Sequence, residues 1–355
     1  MNITLLPPPY ELETKAVMRK LIEANGALSE LKGVADSIPN KTILINTLVL
    51  QEAKESSAIE NIITTYDELY RAQLFKEGWS KETKEVLNYG EALKRGFDLV
   101  KSKGFISKNL LLEVQAILED NDAGFRRQAG TKLKNPYTDE VVYTPPQSYD
   151  DIVALMSDLE KYLNDDADET DDLVRMAVIH YQFEKIHPFY DGNGRTGRIL
   201  NILYLVLKSK LDLPILYLSR YIIRHKAEYY RLFRQDPNQD FWTDWVLFMV
   251  EGVRVTALET IEMVKQIREL MDQFKRELKT NLPKRYSKDL LENLFKHPYT
   301  RIESVMNDLN VSEPTAIKYL KELEEGGFVK RVKLGTKVYF LNERLYNFFK
   351  GTPHH

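Results

Sequence analysis

From residue 187 to residue 198 the chain reads His187-Pro188-Phe189-Tyr190-Asp191-Gly192-Asn193-Gly194-Arg195-Thr196-Gly197-Arg198, and it continues into the apolar run Ile199-Leu200-Asn201-Ile202-Leu203-Tyr204-Leu205-Val206-Leu207. The apolar run is long enough to form a buried helix, and a polar, glycine-rich loop precedes it. Backbone N–H groups at the start of a helix have no intrahelical partner, and the helix dipole adds partial positive charge there. Because such a start attracts anions, the stretch predicts a phosphate site.

The side chains of the loop suit this prediction. Gly192 and Gly194 can adopt positive φ and, having no Cβ, let backbone N–H groups close around phosphate oxygens. Asn193 tolerates left-handed geometry and carries an amide that can donate. Arg195 and Arg198 are three residues apart, so on a helix they share a face and can hold one polyphosphate.

Two more side chains of the stretch point to chemistry. His187 is its only side chain that takes up a proton near neutral pH, which makes it the candidate general base. Asp191 is a hard oxygen ligand suited to a Mg²⁺ carried by phosphates. The alternative is a structural one, in which Gly-Asn-Gly is a simple turn and the arginine pair is solvated. The ordered string of residue types favours proton removal from a hydroxyl next to a metal-bound phosphate.

This stretch resembles the signature of the Fic family, His-Pro-Phe-x-(Asp/Glu)-Gly-Asn-(Gly/Lys)-Arg-x-x-Arg, and every specified position matches. The resemblance implies an all-helical fold that transfers a nucleoside monophosphate, usually AMP from ATP, onto a protein hydroxyl. It implies that His187 deprotonates a target Ser, Thr or Tyr and that Asp191 holds Mg²⁺. The phosphates would be bound by Gly192, Asn193, Gly194 and Arg195 (α and β) and by Arg198 (γ). Transfer of another nucleotide, or removal of AMP from a modified protein, stays open.

A second short match lies far upstream, at Ser56-Ser57-Ala58-Ile59-Glu60-Asn61. It fits (Ser/Thr)-x-x-x-Glu-(Gly/Asn), which resembles the inhibitory motif of the family's class II. The resemblance implies that Glu60, on a helix, reaches Arg198 and takes the space of the γ-phosphate. An Arg–carboxylate pair is strong and geometrically specific, so it can misalign a triphosphate. The hypothesis is therefore an enzyme held inactive by its own Glu60, with Ser56 and Asn61 as the other motif residues.

Two further segments concern the substrates. Residues 131–146 show short apolar-polar runs around Asn-Pro-Tyr-Thr-Asp, which predict a hairpin. The resemblance implies that this hairpin is the family's flap, whose edge aligns the target protein by strand addition. Tyr229 and Tyr230 follow the motif helix, and their family position suggests that they border the nucleotide base. His180 is expected to pack or to form hydrogen bonds in the core.

Composition is that of an ordinary globular protein. The chain has 355 residues, 43% hydrophobic and 29% charged, with a net charge of −3 and no cysteine. Disulfides and thiolate metal sites are thus excluded, and no overall polyanion affinity is indicated. No apolar run reaches membrane-spanning length, so no membrane association is expected. The N-terminus lacks the pattern of a signal peptide, which makes the cytoplasm the expected location.

Helical periodicity predicts a mainly α chain: a Fic-type bundle with a small β-hairpin flap. The expected segments are an N-terminal helical region over 1–107 carrying the inhibitory motif, a catalytic core over 108–250 and a connector helix over 251–282. Helix 41–61 is predicted to include Glu60. A separate module over 283–345 has three short helices and two strands around a Gly-centred turn, and it resembles a winged helix-turn-helix.

The sequence of this last module does not decide which partner it binds. Between Pro283 and Arg344 there are twelve Lys or Arg and nine Asp or Glu residues, a net charge of only +3. Its wing carries basic residues suited to DNA phosphates, but winged helices also dock proteins or form homodimers. Two classes of function therefore compete: an adenylyltransferase that uses ATP, and a DNA-binding regulator that uses its Fic core as a nucleotide sensor. The presence of His187 and Asp191 favours the enzyme.

Overall fold

The computed structural model describes residues 3–74, 79–134, 141–167, 169–334 and 337–350, and the chain is mainly helical. The α-helices, numbered in chain order, are α1 Lys15–Ala35, α2 Lys41–Ile59, α3 Tyr66–Ala72, α4 Lys81–Lys103, α5 Lys108–Glu119, α6 Tyr149–Leu163, α7 Asp172–Ile186, α8 Asn193–Leu207, α9 Ser219–Arg224, α10 Lys226–Phe233, α11 Gln239–Asn281, α12 Lys288–Lys296, α13 Ile302–Leu309, α14 Glu313–Glu325 and α15 Glu343–Lys350.

The strands form two small antiparallel sheets. They are β1 Leu133–Lys134, β2 Val141–Tyr143, β3 Tyr299–Thr300, β4 Lys330–Leu334 and β5 Lys337–Leu341. Strands β1 and β2 pair with each other, which confirms the predicted hairpin; its turn, 135–140, lies outside the described residues. The second sheet has the order β3-β5-β4, and the predicted turn at 335–336 is likewise outside the described residues.

The chain divides into two compact units. The first comprises Met1–Lys32, Leu48–Ile63 and Ser80–Thr260; the second comprises Gly33–Thr47, Thr64–Trp79 and Ile261–His355. The predicted segments follow a different division, in which 1–107 is continuous and 283 begins a module. The boundary predicted between the catalytic core and the connector, at residues 250 and 251, falls inside the continuous helix α11. No proline interrupts residues 239–281.

The centre of the first unit is formed by α7 and α8. Every residue of α7 from Leu173 to Ile186 is buried, and α8 is buried from Arg195 to Val206. Helix α4 packs against α5 and α8, while α6 packs against α7. A helix that is buried on all sides lies in the core of a protein. Because α7 and α8 are both buried in this way, the loop that joins them is anchored at each end.

The second unit contains α12, α13 and α14 together with the three-stranded sheet. Ser287 caps α12 by accepting a hydrogen bond from the backbone N of Leu290 at 3.1 Å. Three aromatic rings meet in its core: Phe274 lies 5.2 Å from Phe295 and 5.8 Å from Phe328, both edge to face. The unit thus has an apolar core of its own.

Across the described part of the chain, none of the helices combines the length and the apolar character needed to cross a membrane.

Candidate active site

The loop between α7 and α8 has an unusual backbone at both ends. His187 caps α7 in the left-handed region, with φ of 48°, and its backbone N donates to the carbonyl of Phe183 at 3.0 Å. Gly192 precedes α8 with φ of 74°. A Cβ at Gly192 would run into the carboxylate of Glu119, so a side chain is excluded there by space as well as by conformation. These two residues turn the chain sharply from one buried helix into the next.

Among the described residues, no side chain caps the start of α8. The N-cap position is Gly192, which leaves the first backbone N–H groups of the helix without a capping acceptor. The amide of Asn193 does not fill this role, because its Oδ1 accepts from the N of Phe189 at 2.8 Å and its Nδ2 donates to the carbonyl of Phe189 at 2.9 Å. The side chain of Asn193 therefore holds the loop in place through Phe189, with one N–H of its amide used in that bond.

His187 is braced by a buried arginine. The Nε of Arg126 donates to the carbonyl of His187 at 2.8 Å, and the backbone N of Arg126 donates to the carbonyl of Pro188 at 2.9 Å. Burial, helped by the positive charge of Arg126, lowers the pKa of His187 to about 4. The imidazole is thus neutral at physiological pH and able to accept a proton.

A cavity of about 820 Å³ opens over this loop. Its lining residues include most of the predicted site: Glu60, Asn61, His187, Asp191, Gly192, Asn193, Gly194, Arg198, Tyr229 and Tyr230. Arg195 and Ser56 are not among the lining residues. The volume falls in the range of nucleotide-sized and drug-sized ligand sites.

Asp191 is exposed at the mouth of this cavity. Its Oδ1 accepts a hydrogen bond from the backbone N of Gly192 at 2.7 Å, which fixes the carboxylate beside the loop. Among the described residues, no group of three or more His, Asp and Glu side chains is arranged to hold a metal. A cation here would therefore need oxygen ligands from the phosphates in addition to Asp191.

The two arginines of α8 have different surroundings. Each nitrogen of the Arg195 guanidinium donates to a separate carboxylate: Nε to Glu60 at 3.1 Å, Nη1 to Glu85 at 3.1 Å and Nη2 to Glu119 at 2.8 Å. The arginine itself is 2% exposed. Because two of the three carboxylates belong to α4 and α5, Arg195 would stay anchored even if Glu60 moved away.

The guanidinium group of Arg198 is bound by two residues of the upstream motif, Ser56 and Glu60. Its Nη2 donates to Glu60 Oε1 at 2.7 Å and to the carbonyl of Ser56 at 3.1 Å, and its Nε donates to Ser56 Oγ at 2.7 Å. Glu60 is the carboxylate partner among its ion pairs in the described residues. The structure thus brings the two predicted motifs together, and Glu60 contacts both arginines.

Glu60 lies just beyond its helix, which corrects the prediction that helix 41–61 includes it. Helix α2 ends at Ile59, and Asn61 adopts a left-handed φ of 63°. The backbone N of Ile62 then donates back to the carbonyl of Ser57 at 3.1 Å. Asparagine tolerates this conformation and so terminates the helix. Glu60 therefore sits on the closing turn of α2.

A further acid on α2 fixes the helix one turn below Ser56. Glu52 accepts hydrogen bonds from the hydroxyl of Tyr89 at 2.9 Å, from the backbone N of Ser219 at 3.1 Å and from the hydroxyl of Ser219. Burial raises the pKa of Glu52 to about 7. Since Glu52, Ser56 and Glu60 are spaced by four residues, one face of α2 and its closing turn carries all three contacts.

Two tyrosines of α10 also line the cavity. Tyr229 is 4% exposed and meets Tyr230 edge to face at 5.2 Å. The Nε2 of His180 lies 3.0 Å from the Tyr229 hydroxyl, and Asn201 contacts the other ring nitrogen at 3.2 Å. His180 is fully buried, which confirms that it packs and bonds in the core. Tyr229 is thereby held in a fixed position.

Several residues of the site have no local sequence signal. Their positions in the chain resemble ordinary amphipathic helix or loop, and the residues are Arg126, Glu85, Glu119 and Glu184. Each becomes part of the site only because the fold brings its element to α7 or α8. A weak clue exists for Glu184, which lies three residues before His187 and hence on the same helical face.

The buried helix pair α7 and α8, joined by a glycine loop beneath a cavity, defines a helical class of proteins. The chain belongs to the Fic family. Its residues 18–98 match the Fic/DOC family N-terminal region, residues 105–205 match the Fic/DOC family itself, and residues 270–345 match the C-terminal domain of SoFic-like protein adenylyltransferases.

Similar proteins agree with this membership. The chain is 29% identical over 182 residues to a probable protein adenylyltransferase of Aquifex aeolicus, covering 50% of this chain and 54% of that protein. It is 35% identical over 86 residues to the protein adenylyltransferase Fic-1 of Caenorhabditis elegans, covering 24% and 16%. The chain thus spans about half the length of the first relative and less of the second.

Solved structures share the fold. A Fic family protein from Desulfovibrio desulfuricans superposes with a TM-score of 0.57 at 22% identity, covering 94% of this chain and 98% of that one. Residues 134–508 of Fic-1 from Caenorhabditis elegans superpose with a TM-score of 0.53 at 22% identity, covering 71% and 75%.

Proposed function

We propose that this protein transfers AMP from ATP to a Ser, Thr or Tyr hydroxyl of a target protein, and that Glu60 restrains this activity. The observation that carries the proposal is the position of Glu60. Its carboxylate lines the same cavity as His187 and the glycine loop, and it pairs with Arg198 at 2.7 Å. The relatives named as protein adenylyltransferases support the type of reaction.

The reaction requires a base, an electrophile and a place for negative charge. His187, neutral with a pKa of about 4, would take the proton of the target hydroxyl. The hydroxyl oxygen would form a bond to the α-phosphorus as the bond from that phosphorus to pyrophosphate breaks. Backbone N–H groups at the uncapped start of α8 would stabilise the charge on the phosphoryl oxygens. Positioning and charge stabilisation supply most of the catalysis in such a transfer.

We assign the cation of the nucleotide to Asp191. The carboxylate is exposed at the cavity mouth and oriented by the backbone N of Gly192, which fits a single protein ligand to Mg²⁺. Mg²⁺ usually keeps several waters and is bound through one or two carboxylates together with substrate phosphates. When bound, Mg²⁺ would neutralise negative charge on the phosphates, and Asp191 would fix the position of the cation.

The roles of the two arginines differ in this proposal. Arg198 would bind the γ-phosphate once Glu60 departs, because the two share the cavity. Arg195 keeps its bonds to Glu85 and Glu119 and does not line the cavity. It would therefore act on the α- and β-phosphates indirectly, by holding the first turn of α8 in place.

The target would approach along the hairpin. Strand β2 carries the exposed Val141, and Tyr143 at its end lines the cavity together with Leu133 of β1. The hydroxyl of Tyr143 donates to the carbonyl of Lys185 at 3.0 Å, which ties the base of the hairpin to α7. An edge strand anchored this close to His187 could pair with an extended target segment.

The test is labelling with α-³²P-ATP and Mg²⁺ of wild type, Glu60→Gly, Glu85→Gln and the double variant Glu60→Gly/His187→Ala. We expect Glu60→Gly to raise self-labelling about tenfold or more, since a charged hydrogen bond of about 1.5–3 kcal/mol no longer holds Arg198. Glu85→Gln is the matched control: it removes another carboxylate from Arg195 but leaves Glu60 on Arg198.

The outcomes separate the alternatives. Label in Glu60→Gly that vanishes with His187→Ala supports the proposal. Equal label in wild type and Glu60→Gly contradicts the inhibitory role. Label from another nucleotide but not from ATP would favour the alternative donor, and release of AMP from a modified protein would favour the reverse reaction.

We propose a winged helix-turn-helix for residues 283–345, supported by the order of three helices followed by two paired strands. The exposed face of α14 carries Glu313, Lys318, Lys321 and Glu325, so its charges balance. This favours a protein partner or a second copy over DNA. Binding of duplex DNA by the full chain, seen as a salt-sensitive change in the electrophoretic mobility of the DNA and lost in Lys333→Glu/Lys337→Glu, would instead support a DNA-binding regulator.

A further inference from the structure

A buried carboxyl group in the wall of the cavity has no role in the chemistry described so far. Glu184 lies on α7, one turn before His187, and is 7% exposed. Its Oε1 has no hydrogen-bond partner among the described residues, although the side chain lines the cavity. A buried acceptor without a partner is costly and rare in native structures. A ligand that donates to it in the cavity would account for its position.

The location of this carboxyl group indicates which part of a nucleotide it would meet. Glu184 packs against the backbone of α8 at Gly197, where a Cβ would lie 2.5 Å from its Oε1. Burial raises the pKa of Tyr229, and the negative charge of Glu184 raises it further. Burial also raises the pKa of Glu184, and the positive charge of Arg198 opposes that effect. Glu184 therefore lines the same cavity as Arg198 and Tyr229, within electrostatic range of both.

Arg198 does not use this carboxyl group. Its hydrogen bonds go to Ser56 and Glu60, and within the described residues no ion pair joins it to Glu184. The group is thus available to a ligand with a donor of its own. Between a triphosphate and a base, the donors of a nucleotide are the ribose hydroxyls, which carboxylates bind in other nucleotide sites.

We propose that Glu184 accepts a hydrogen bond from a ribose hydroxyl of the bound nucleotide and makes the site selective for ribonucleotides. This inference rests on the proposed function, because it takes the ligand of the cavity to be a nucleoside triphosphate. The phosphates are held at the start of α8, the base lies near Tyr229, and Glu184 distinguishes the sugar between them.

The test is equilibrium binding of ATP, 2′-deoxy-ATP, 3′-deoxy-ATP and inosine triphosphate, measured by calorimetry with Mg²⁺ on the full chain carrying Glu60→Gly. We expect ATP to bind about tenfold tighter than at least one deoxy analogue, the usual effect of losing one hydrogen bond in a buried site. Adding Glu184→Ala should bring that ratio close to one. Adding Glu184→Gln, which keeps an acceptor oxygen, should preserve part of it.

Gln182→Ala is the control for loss of a buried polar side chain on the same helix. Gln182 is 3% exposed, donates to the carbonyl of Thr4 at 2.9 Å and does not line the nucleotide cavity, so the ratio should stay unchanged. Equal affinity for ATP and both deoxy analogues, or a preference that survives Glu184→Ala, overturns the inference. So does a Glu184-dependent preference for ATP over inosine triphosphate alone, since it would place the base amino group there.

Binding separates this inference from the proposed function. ATP binding with ribose selectivity but no labelling would contradict the transferase and leave the ribose contact supported. Labelling that uses ribose and deoxyribose nucleotides equally would support the transferase and contradict the ribose contact. No nucleotide binding at all would contradict both.

Discussion

Ser56 meets Arg198 through two bonds from one guanidinium: Nε donates to its hydroxyl at 2.7 Å and Nη2 to its backbone carbonyl at 3.1 Å. Arg198 is thus hydrogen-bonded by the last turn of α2 as well as by Glu60. Because Ser56 is fully buried and does not line the cavity, it cannot compete with a nucleotide for space. In the proposed autoinhibition, Ser56 would orient Arg198 toward Glu60.

Ser56→Ala should therefore relieve inhibition in part. One bond to a charged group is lost while the carbonyl and Glu60 still hold Arg198, so we expect self-labelling to rise by about threefold to tenfold, less than in Glu60→Gly. Ser57→Ala is the matched control, since Ser57 is equally buried and its hydroxyl has no partner among the described residues. Equal labelling by the two variants would contradict the role of Ser56.

His187→Ala in the Glu60→Gly background should reduce labelling by about a hundredfold or more, the usual effect of losing a general base. ATP binding should persist, because the glycine loop and Arg198 remain. Calorimetry for binding and single-turnover labelling for chemistry separate the two effects. A loss of ATP binding equal to the loss of labelling would show that His187 serves the fold of the loop.

The pH dependence of labelling follows from the lowered pKa of His187, about 4 instead of 6.5. The neutral base is present above the folded pKa, so its contribution should rise between pH 3 and 5 and stay level from pH 6 to 8. Glu60 raises this pKa, so Glu60→Gly moves the rise to lower pH still. An inflection near pH 6.5 in single-turnover labelling would contradict the lowered pKa of His187.

Asn193→Ala should lower both stability and labelling. The substitution leaves the backbone N and carbonyl of Phe189 without their partners, and Phe189 is fully buried. Each unpaired buried group costs about 1–3 kcal/mol. We expect a melting temperature several degrees lower and weaker ATP binding, measured by calorimetry. An unchanged melting temperature would show that the loop holds its shape without this side chain.

Glu52 gives the stability a pH dependence. Its folded pKa is raised from 4.5 to about 7, so its contribution is fully present below about pH 4.5 and is lost as pH rises through 7. The free energy of unfolding should fall by about 2–3 kcal/mol across this window. Glu184, also raised to about 7, adds a change of the same sign. The difference between wild type and Glu52→Gln in unfolding at pH 5 and pH 8 isolates the effect of Glu52.

The sequence was informative where chemistry is encoded in consecutive residues. The loop from His187 to Arg198 and the pair Ser56 and Glu60 could be proposed as a site because each is a short ordered string. Most helices followed from periodicity, since amphipathic faces repeat along the chain. The end of α2 at Ile59 was not predicted, because one left-handed asparagine decides it and local pattern does not show φ.

Long-range partners could not be predicted in the same way. Arg126 braces a loop 61 residues away, and Glu119 reaches Arg195 across 76 residues. Nothing beside either residue in the chain distinguishes it from a solvated surface charge. The interleaving of the two compact units was missed for a similar reason, since residues 33–47 and 64–79 resemble their neighbours in composition.

Because Glu60 lies on the closing turn of α2, the proposed restraint would be released without unfolding the helix. The helix before it is fixed by Glu52 and Ser56, whereas the turn at residues 60–62 is held mainly by the ion pairs of Glu60 and a few backbone bonds. Short, partly exposed helix ends open at far lower free energy than a core does. Under the proposed autoinhibition, opening of this single turn would release Arg198 while the rest of α2 stays packed and the protein remains folded.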